Sequence, residues 1–116
     1  MNGTLYNQFG LMSTKILFIT AYDMDKYGGV QNQINLVSQK LNKLNYDTRI
    51  CAPNSLDYDL GKTISFPFNK SVVNVSLIPK RKVLKEAIAW ADVIHIHEPF
   101  IPLFFWRFKS NKKTIV

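Results

Sequence analysis

The stretch KILFITAYDMDKYGGVQNQINLVSQKLNKLNYDTRICAP, Lys15 to Pro53, decides how this chain folds. It opens on KILFIT, Lys15–Thr20, a short apolar, β-favouring run of the kind buried on both faces of a parallel sheet. From Val30 the apolar residues Val30, Ile34, Val37, Leu41 and Leu44 recur at steps of three and four. That spacing predicts a helix with one apolar stripe, its opposite face filled by Gln, Asn and Lys. Asn45 is a suitable helix stop. DTRICAP, Asp47–Pro53, then reads as a second strand ended by proline. Strand, helix and strand within about forty residues make a βαβ unit, with parallel strands and a right-handed crossover.

Downstream, NSLDYDLGKT reads as a loop and ISFPF as a third short strand interrupted by Pro67. In NKSVVNVSLIP, the alternation of Val73, Val75 and Leu77 predicts an extended edge segment. After Pro79, KRKVLKEAIAWADV predicts a second helix with Val83, Leu84, Ala87, Ile88 and Ala91 turned inward. DVIHIHEP, Asp92–Pro99, is a strand ending in a polar cluster, FIPLFFWRFK is an aromatic-rich short helix or loop, and KTIV opens another strand. Strands alternating with helices predict a doubly wound α/β sheet, in which ligands sit at the carboxyl ends of the strands.

The bulk numbers narrow the class. With 116 residues, 47% of them apolar and 20% charged, the chain is long and apolar enough for one ordered core. Fifteen Lys and Arg against eight Asp and Glu leave a net charge of +7, which favours phosphates, nucleic acid or anionic lipid without choosing among them. A single cysteine, Cys51, excludes an internal disulfide, fits a reducing compartment and stands in an apolar run as a buried structural thiol. No run reaches the roughly 18 apolar residues of a spanning helix, and MNGTLYNQFGLMST lacks the regions of a secretory signal. Residues 1–13 read as a leader or a misassigned start, with the domain covering 14–116. The stop on Thr114–Val116 predicts a truncated chain.

Gly28 and Gly29 follow the first strand and open the first helix, where glycine lets the backbone approach a ligand with no Cβ in the way. Helix N-termini offer unpaired amides and a positive dipole end, so this joint is either phosphate-facing or a plain tight turn. It matches neither G-x-G-x-x-G nor the P-loop. Tyr22 and Gln31 flank the glycines. A tyrosine can stack on a sugar face and a glutamine can both donate to and accept from hydroxyls, unless both simply pack or hydrate locally.

In HIHEP, alternation puts His95 and His97 on one face of a strand with Ile96 opposite. Two histidines and Glu98 lack a further well-placed ligand, since the chain has no other histidine and only one cysteine, so metal binding is not expected. His97 and Glu98, at the rim, are candidates for holding a ligand or orienting a loop, whereas His95 reads as a residue of the sheet. Lys80, Arg81, Lys82 and Lys85 surround the start of a helix whose other face is apolar. They form either a solvated face or a contact for an anionic membrane surface worth about 1 kcal/mol per residue. No zinc-finger spacing, aromatic RNA-binding signature or helix-turn-helix accompanies the charge, so nucleic acid is not an expected partner.

Taken together, KILFIT, AYDMDKYGGVQNQINLVSQKL, DTRICAP, PFNKSV and DVIHIHEPFIP, in that order, resemble the amino-terminal domain of GT-B glycosyltransferases of family 4. The resemblance is strongest to the phosphatidylinositol mannosyltransferase-like branch and runs from about Lys15 to Val116. It implies a Rossmann-like, mostly parallel sheet forming the acceptor-side half of a retaining enzyme with a nucleotide-diphosphate sugar as co-substrate and no metal or other cofactor. Gly28, Gly29 and Val30 then inherit the loop over the donor diphosphate. Tyr22, Gln31, Asn69, Lys70, Ser71, His97 and Glu98 inherit acceptor contacts, with His97 the one weak catalytic candidate. Lys80, Arg81, Lys82 and Lys85 inherit the membrane-facing region. A lipid or glycan is the implied acceptor, and the location is cytoplasmic, peripheral on the inner membrane face.

The family's T-x-H segment and its carboxyl-terminal nucleotide-binding domain with the E-x(7)-E motif have no counterpart in these residues. The chain alone is therefore expected to transfer nothing. The alternative is a non-catalytic interaction domain or split subunit completed by a second chain.

Overall fold

The computed structural model describes residues 14–25, 28–68, 71–76, 79–97 and 112–115. Strand β1, Lys15–Thr20, is its centre. Helix α1 spans Gly29–Lys43 and strand β2 Asp47–Ala52, followed by a two-residue strand β3, Tyr58–Asp59. Strands β4, Ile64–Phe68, and β5, Ser71–Val75, precede helix α2, Arg81–Trp90. Strands β6, Val93–His97, and β7, Lys113–Ile115, complete the order.

The main sheet runs β3-β2-β1-β6-β7, with all four pairings parallel. β1 therefore has β2 on one side and β6 on the other, the arrangement of a doubly wound, Rossmann-like α/β sheet.

Register assigns the two faces. Leu17 pairs with Arg49 and Ile94, and Ile19 with Cys51 and Ile96. Paired residues in parallel strands share a face, and this one packs on α2 through Leu84, Ala87 and Ala91. The spacing of Leu84, Ala87 and Ala91 is the apolar stripe read from the sequence, and Val83 and Ile88 pack against the same cluster. Cys51 is fully buried there, and burial pushes its thiol up to about 12, so it behaves as a small apolar side chain. The other face carries Phe18, Thr20, Thr48, His95 and His97.

α1 lies on that second face. Ile34 and Ser38, one turn apart, are its buried residues, and the Ser38 hydroxyl meets that of Thr48 at 2.6 Å. Thr48 in turn donates to Asn42 at 2.9 Å. The stripe read from the sequence overreaches at its end, because Leu44 is 65% exposed. The helix closes there in a Schellman turn: Asn45 takes φ +72°, its N–H bonds the Asn42 carbonyl, and the Tyr46 N–H reaches Leu41. Asn45 is thus the expected stop, and Leu44 sits past the last buried turn.

Two readings of the middle need correction. Tyr58–Asp59 is a strand inside the expected loop, too short to show a period in sequence. ISFPF and SVVNV do not join the parallel sheet but pair antiparallel as a separate hairpin, Pro67 opposite Val72. Proline has no N–H for a ladder, which suits a two-stranded ribbon better than a sheet interior. The hairpin is fastened to the body beyond β1: Tyr22 bridges Val75, and the Ser76 N–H donates to the Ala21 carbonyl at 2.9 Å.

Candidate functional site

Both helices begin at the carboxyl edge of the sheet. α1 follows the exit of β1, and the start of α2 is held where β3 ends, by Lys80 N–H to the Leu60 carbonyl at 3.1 Å. The far end of α2 returns to the amino edge, where the Asp92 N–H bonds the Lys15 carbonyl at 2.8 Å. There the Lys112 ammonium donates to the carbonyls of Ala89 and Ala91, a cation on the negative end of the helix. Neither helix has an acidic residue in its first turn. Two positive dipole ends therefore reach one edge without an internal counter-charge in those turns.

At α1 the first bond of the ladder is Asn32 N–H to the Gly28 carbonyl, 3.0 Å, so the amides of Gly29, Val30 and Gln31 precede it. Gly28 is the extended N-cap and supplies no side-chain cap. A Cβ on Gly28 would come within 2.5 Å of Gln31 Oε1, whereas one on Gly29 would meet nothing within 4 Å. Gly29 is exposed, so its backbone is open to an approaching group.

The loop before these glycines is built around Asp23. Its side chain is buried, and Oδ1 accepts from the Asp25 N–H at 2.9 Å and from Asn54 Nδ2 at 2.8 Å. Its carbonyl accepts from Gln31 Nε2 at 3.0 Å, and its own N–H donates to the Asn74 carbonyl at 3.1 Å. Gln31 is therefore tied to the loop by one of its two N–H groups, which leaves Oε1 and the second N–H as the groups it can offer. Tyr22 is half-buried and packs against the α2-face cluster.

His97 stands beside this loop, its strand position paired with Thr20. The His95 and His97 rings lie 4.4 Å apart on the expected common face, and Phe18 lies 5.3 and 5.9 Å from them. Burial, and then the neighbouring His95, hold His97 below the ordinary 6.5; burial alone does so for His95. Both are neutral near pH 7 as a result. His97 Nε2 is buried and has no hydrogen-bond partner among the described residues. Among those residues there is no cluster of three His, Cys, Asp or Glu able to hold a metal.

Lys80, Arg81, Lys82 and Lys85 are all exposed. They lie near the β3 edge, apart from the glycines, and the Lys80 stem runs over Gly61. That glycine has φ +97°, which a side chain would strain. An open cleft of about 490 Å³ there is lined by Asn54, Asp59, Gly61, Lys62, Thr63 and Lys80. Backbone N–H groups of Gly61 and Asn54 hold the Asp59 carboxyl below its usual range. A second cleft of about 220 Å³ lies between α1 and the β2–β3 turn, with Met24, Asn35, Asn54 and Leu56 in its lining.

Asn69, Lys70 and Glu98 lie outside the described residues, as do residues 1–13 and the aromatic run 100–109. Ser71 opens β5.

This chain is similar to two proteins named phosphatidyl-myo-inositol mannosyltransferase. One, from Mycobacterium leprae, is 30% identical over 115 residues, covering 88% of this chain and 30% of the relative. The other, from Mycolicibacterium smegmatis, is 33% identical over 99 residues, 76% of this chain and 25% of the relative. The chain is related to GT4-like glycosyltransferases. No protein-family model matches it, and no solved structure does. The chain spans less than a third of the length of the proteins it matches. Among its described residues, no helix is long and apolar enough to cross a membrane.

The structure thus gathers Tyr22, Gly28, Gly29, Val30, Gln31 and His97 at one edge and sets the basic run apart from them. Sequence reading missed Asp23 and Asn54. Their one local signal is the Asx turn of Asp23 onto Asp25, which D-x-D can form but does not require.

Proposed function

We propose that this chain is the acceptor-side part, residues 14–116, of a retaining GT-B glycosyltransferase of family 4. The enzyme moves a hexose, mannose first among the candidates, from a nucleotide-diphosphate sugar to a lipid acceptor. Phosphatidylinositol is the acceptor to try first, because both relatives carry it in their names. The observation that carries the reading is the glycine-opened start of α1 at the carboxyl edge of a parallel sheet, in a chain with this sequence likeness.

In this reading the amides of Gly29, Val30 and Gln31 face the donor diphosphate, where helix-end N–H groups and dipole favour negative charge. Tyr22, Gln31 through Oε1, Asn69, Lys70, Ser71, His97 and Glu98 line the acceptor side. A neutral His97 whose buried Nε2 has no partner among the described residues is suited to exchanging a hydrogen bond with a hydroxyl that reaches it. Lys80, Arg81, Lys82 and Lys85 rest on an anionic cytoplasmic membrane surface.

A second domain closes over the donor, excludes water and supplies the remaining charges that stabilise transfer, so the chain alone is inactive. A subunit completed by a second polypeptide is the other form of this reading.

The test is to capture the native product from its source with an antibody to this segment, record its intact mass and assay sugar transfer. A mass several-fold above 13.4 kDa with transfer to lipid supports a two-domain enzyme. A mass near 13.4 kDa with transfer only when a copurifying partner is present supports the split form. A product that transfers no sugar from any nucleotide donor in either state overturns the reading.

A further inference from the structure

We propose that Asp23 is the positioning residue of this edge, clamping the phosphate-facing loop to the β2–β3 turn through Asn54. The inference rests on the reading that the start of α1 faces a phosphate, and it names what holds that start in place.

One residue ties four segments together. The carboxylate of Asp23 receives Asn54 Nδ2 from the turn after β2 and the Asp25 N–H from the loop itself. Its carbonyl receives Gln31 from the first turn of α1, and its N–H is given to Asn74 of β5. Asn54 is held from its own side by an N–H donated to Asp59 Oδ1 at 2.8 Å. It adopts φ +59°, a left-handed conformation that asparagine tolerates better than most residues. Asn54 also borders both clefts of the carboxyl edge.

A buried carboxylate beside a helix end that receives an anion works against binding through its charge. The geometry accounts for its presence differently: two N–H donors on one oxygen hold Asp23 and Asp25 against Asn54, and the Gln31 bond ties Asp23 to the first turn of α1. Asp23 touches no proposed substrate group, so its effect is on orientation.

Chemistry then separates the variants. Asp23→Asn keeps an oxygen for the Asp25 N–H and removes the charge. Asp23→Ala removes the clamp. Asn54→Ala removes the donor from the turn and leaves the Asp25 N–H bond to Asp23 in place.

Hydrogen–deuterium exchange on this chain reads the clamp without any ligand. Asp23→Ala is expected to speed exchange about tenfold across residues 22–32 while β1 and β6 keep their protection. Asn54→Ala is expected to speed it less, because the Asp25 N–H bond to Asp23 remains. In the native polypeptide, Asp23→Ala is expected to raise the donor KM about tenfold with kcat little changed, and Asp23→Asn to stay near the parent. Exchange that rises uniformly through the sheet, or is unchanged at 22–32, overturns the clamp. So does an Asp23→Asn enzyme as impaired as Asp23→Ala. If the parent polypeptide transfers no sugar, the glycosyltransferase reading falls by itself, and the exchange experiment still decides the clamp.

Discussion

The two faces of the central sheet are made by alternate residues of the same strands, yet they differ in kind. On the α2 face, Leu17, Ile19, Cys51, Ile94 and Ile96 meet Leu84, Ala87 and Ala91 in a continuous apolar cluster. On the α1 face, Phe18 and Ile34 are just as buried, but they are accompanied by Thr20, Ser38, Thr48 and two histidines. The first face can be assembled from interchangeable apolar side chains, because burial is non-directional. The second buries polar atoms that need partners: Ser38, Thr48 and Asn42 constrain one another in a chain, whereas His97 Nε2 has none among the described residues. The candidate site lies at the end of the second face. Stability is concentrated on one side of the sheet and adjustable polar chemistry on the other.

The largest expected effect tests this contrast directly. Leu84→Ala leaves a cavity in the apolar face and is expected to cost about 3 kcal/mol. Thr48→Val, which removes a hydroxyl between two partners on the other face, should cost about 1 kcal/mol. Urea denaturation of the two variants measures both, and equal losses would erase the distinction.

Arg49 is the exception on the apolar face, and it sharpens the comparison. Its guanidinium lies 4.4 Å from the Trp90 ring centroid and 5.8 Å from that of Tyr58, with an N–H donated to the Tyr58 hydroxyl at 2.8 Å. The charge is tolerated because aromatic faces and a hydroxyl receive it. Arg49→Ala is expected to lower stability by about 1–2 kcal/mol. Arg49→Lys, which keeps the charge but loses the planar stack, should recover only part of it.

The histidines give the α1 face a pH dependence in the acid range, whereas the shifted group on the α2 face, Cys51, titrates in the alkaline range. Their folded values lie below the ordinary 6.5. Between the folded value and 6.5 the unfolded chain binds more protons than the folded one. The contribution is therefore fully present above 6.5 and is lost as pH falls below it. Thermal melts from pH 7.5 downward should show this decline, and His95→Gln with His97→Gln should flatten it. An unchanged slope in the double variant would assign the acid sensitivity elsewhere.

How much of this was legible in the sequence followed from length of pattern. KILFIT, the helix from Gly29 and the second helix carried enough periods to be read, and Asn45 marked its turn correctly. Tyr58–Asp59 offered two residues and no period. The hairpin was legible as two extended runs, but its separation from the main sheet depends on pairing, which sequence alternation does not specify. The glycines and His97 drew attention by their placement at strand ends, and Tyr22 and Gln31 entered as candidates through the family resemblance; the structure sets these residues at one edge. Asp23 and Asn54 were missed because they are 31 positions apart and meet only once β1 and β2 are aligned.

The most direct test of the central claim, that the start of α1 faces a diphosphate, is Gly29→Ala in the native polypeptide. A Cβ there meets nothing within 4 Å, so the fold has no reason to object. Alanine should leave the melting temperature unchanged or add up to about 1 kcal/mol of helix stability. The binding of GDP and UDP, measured by calorimetry, should weaken about tenfold because the methyl group stands where the phosphate approaches. Undiminished nucleotide binding in a variant that folds normally would contradict the account.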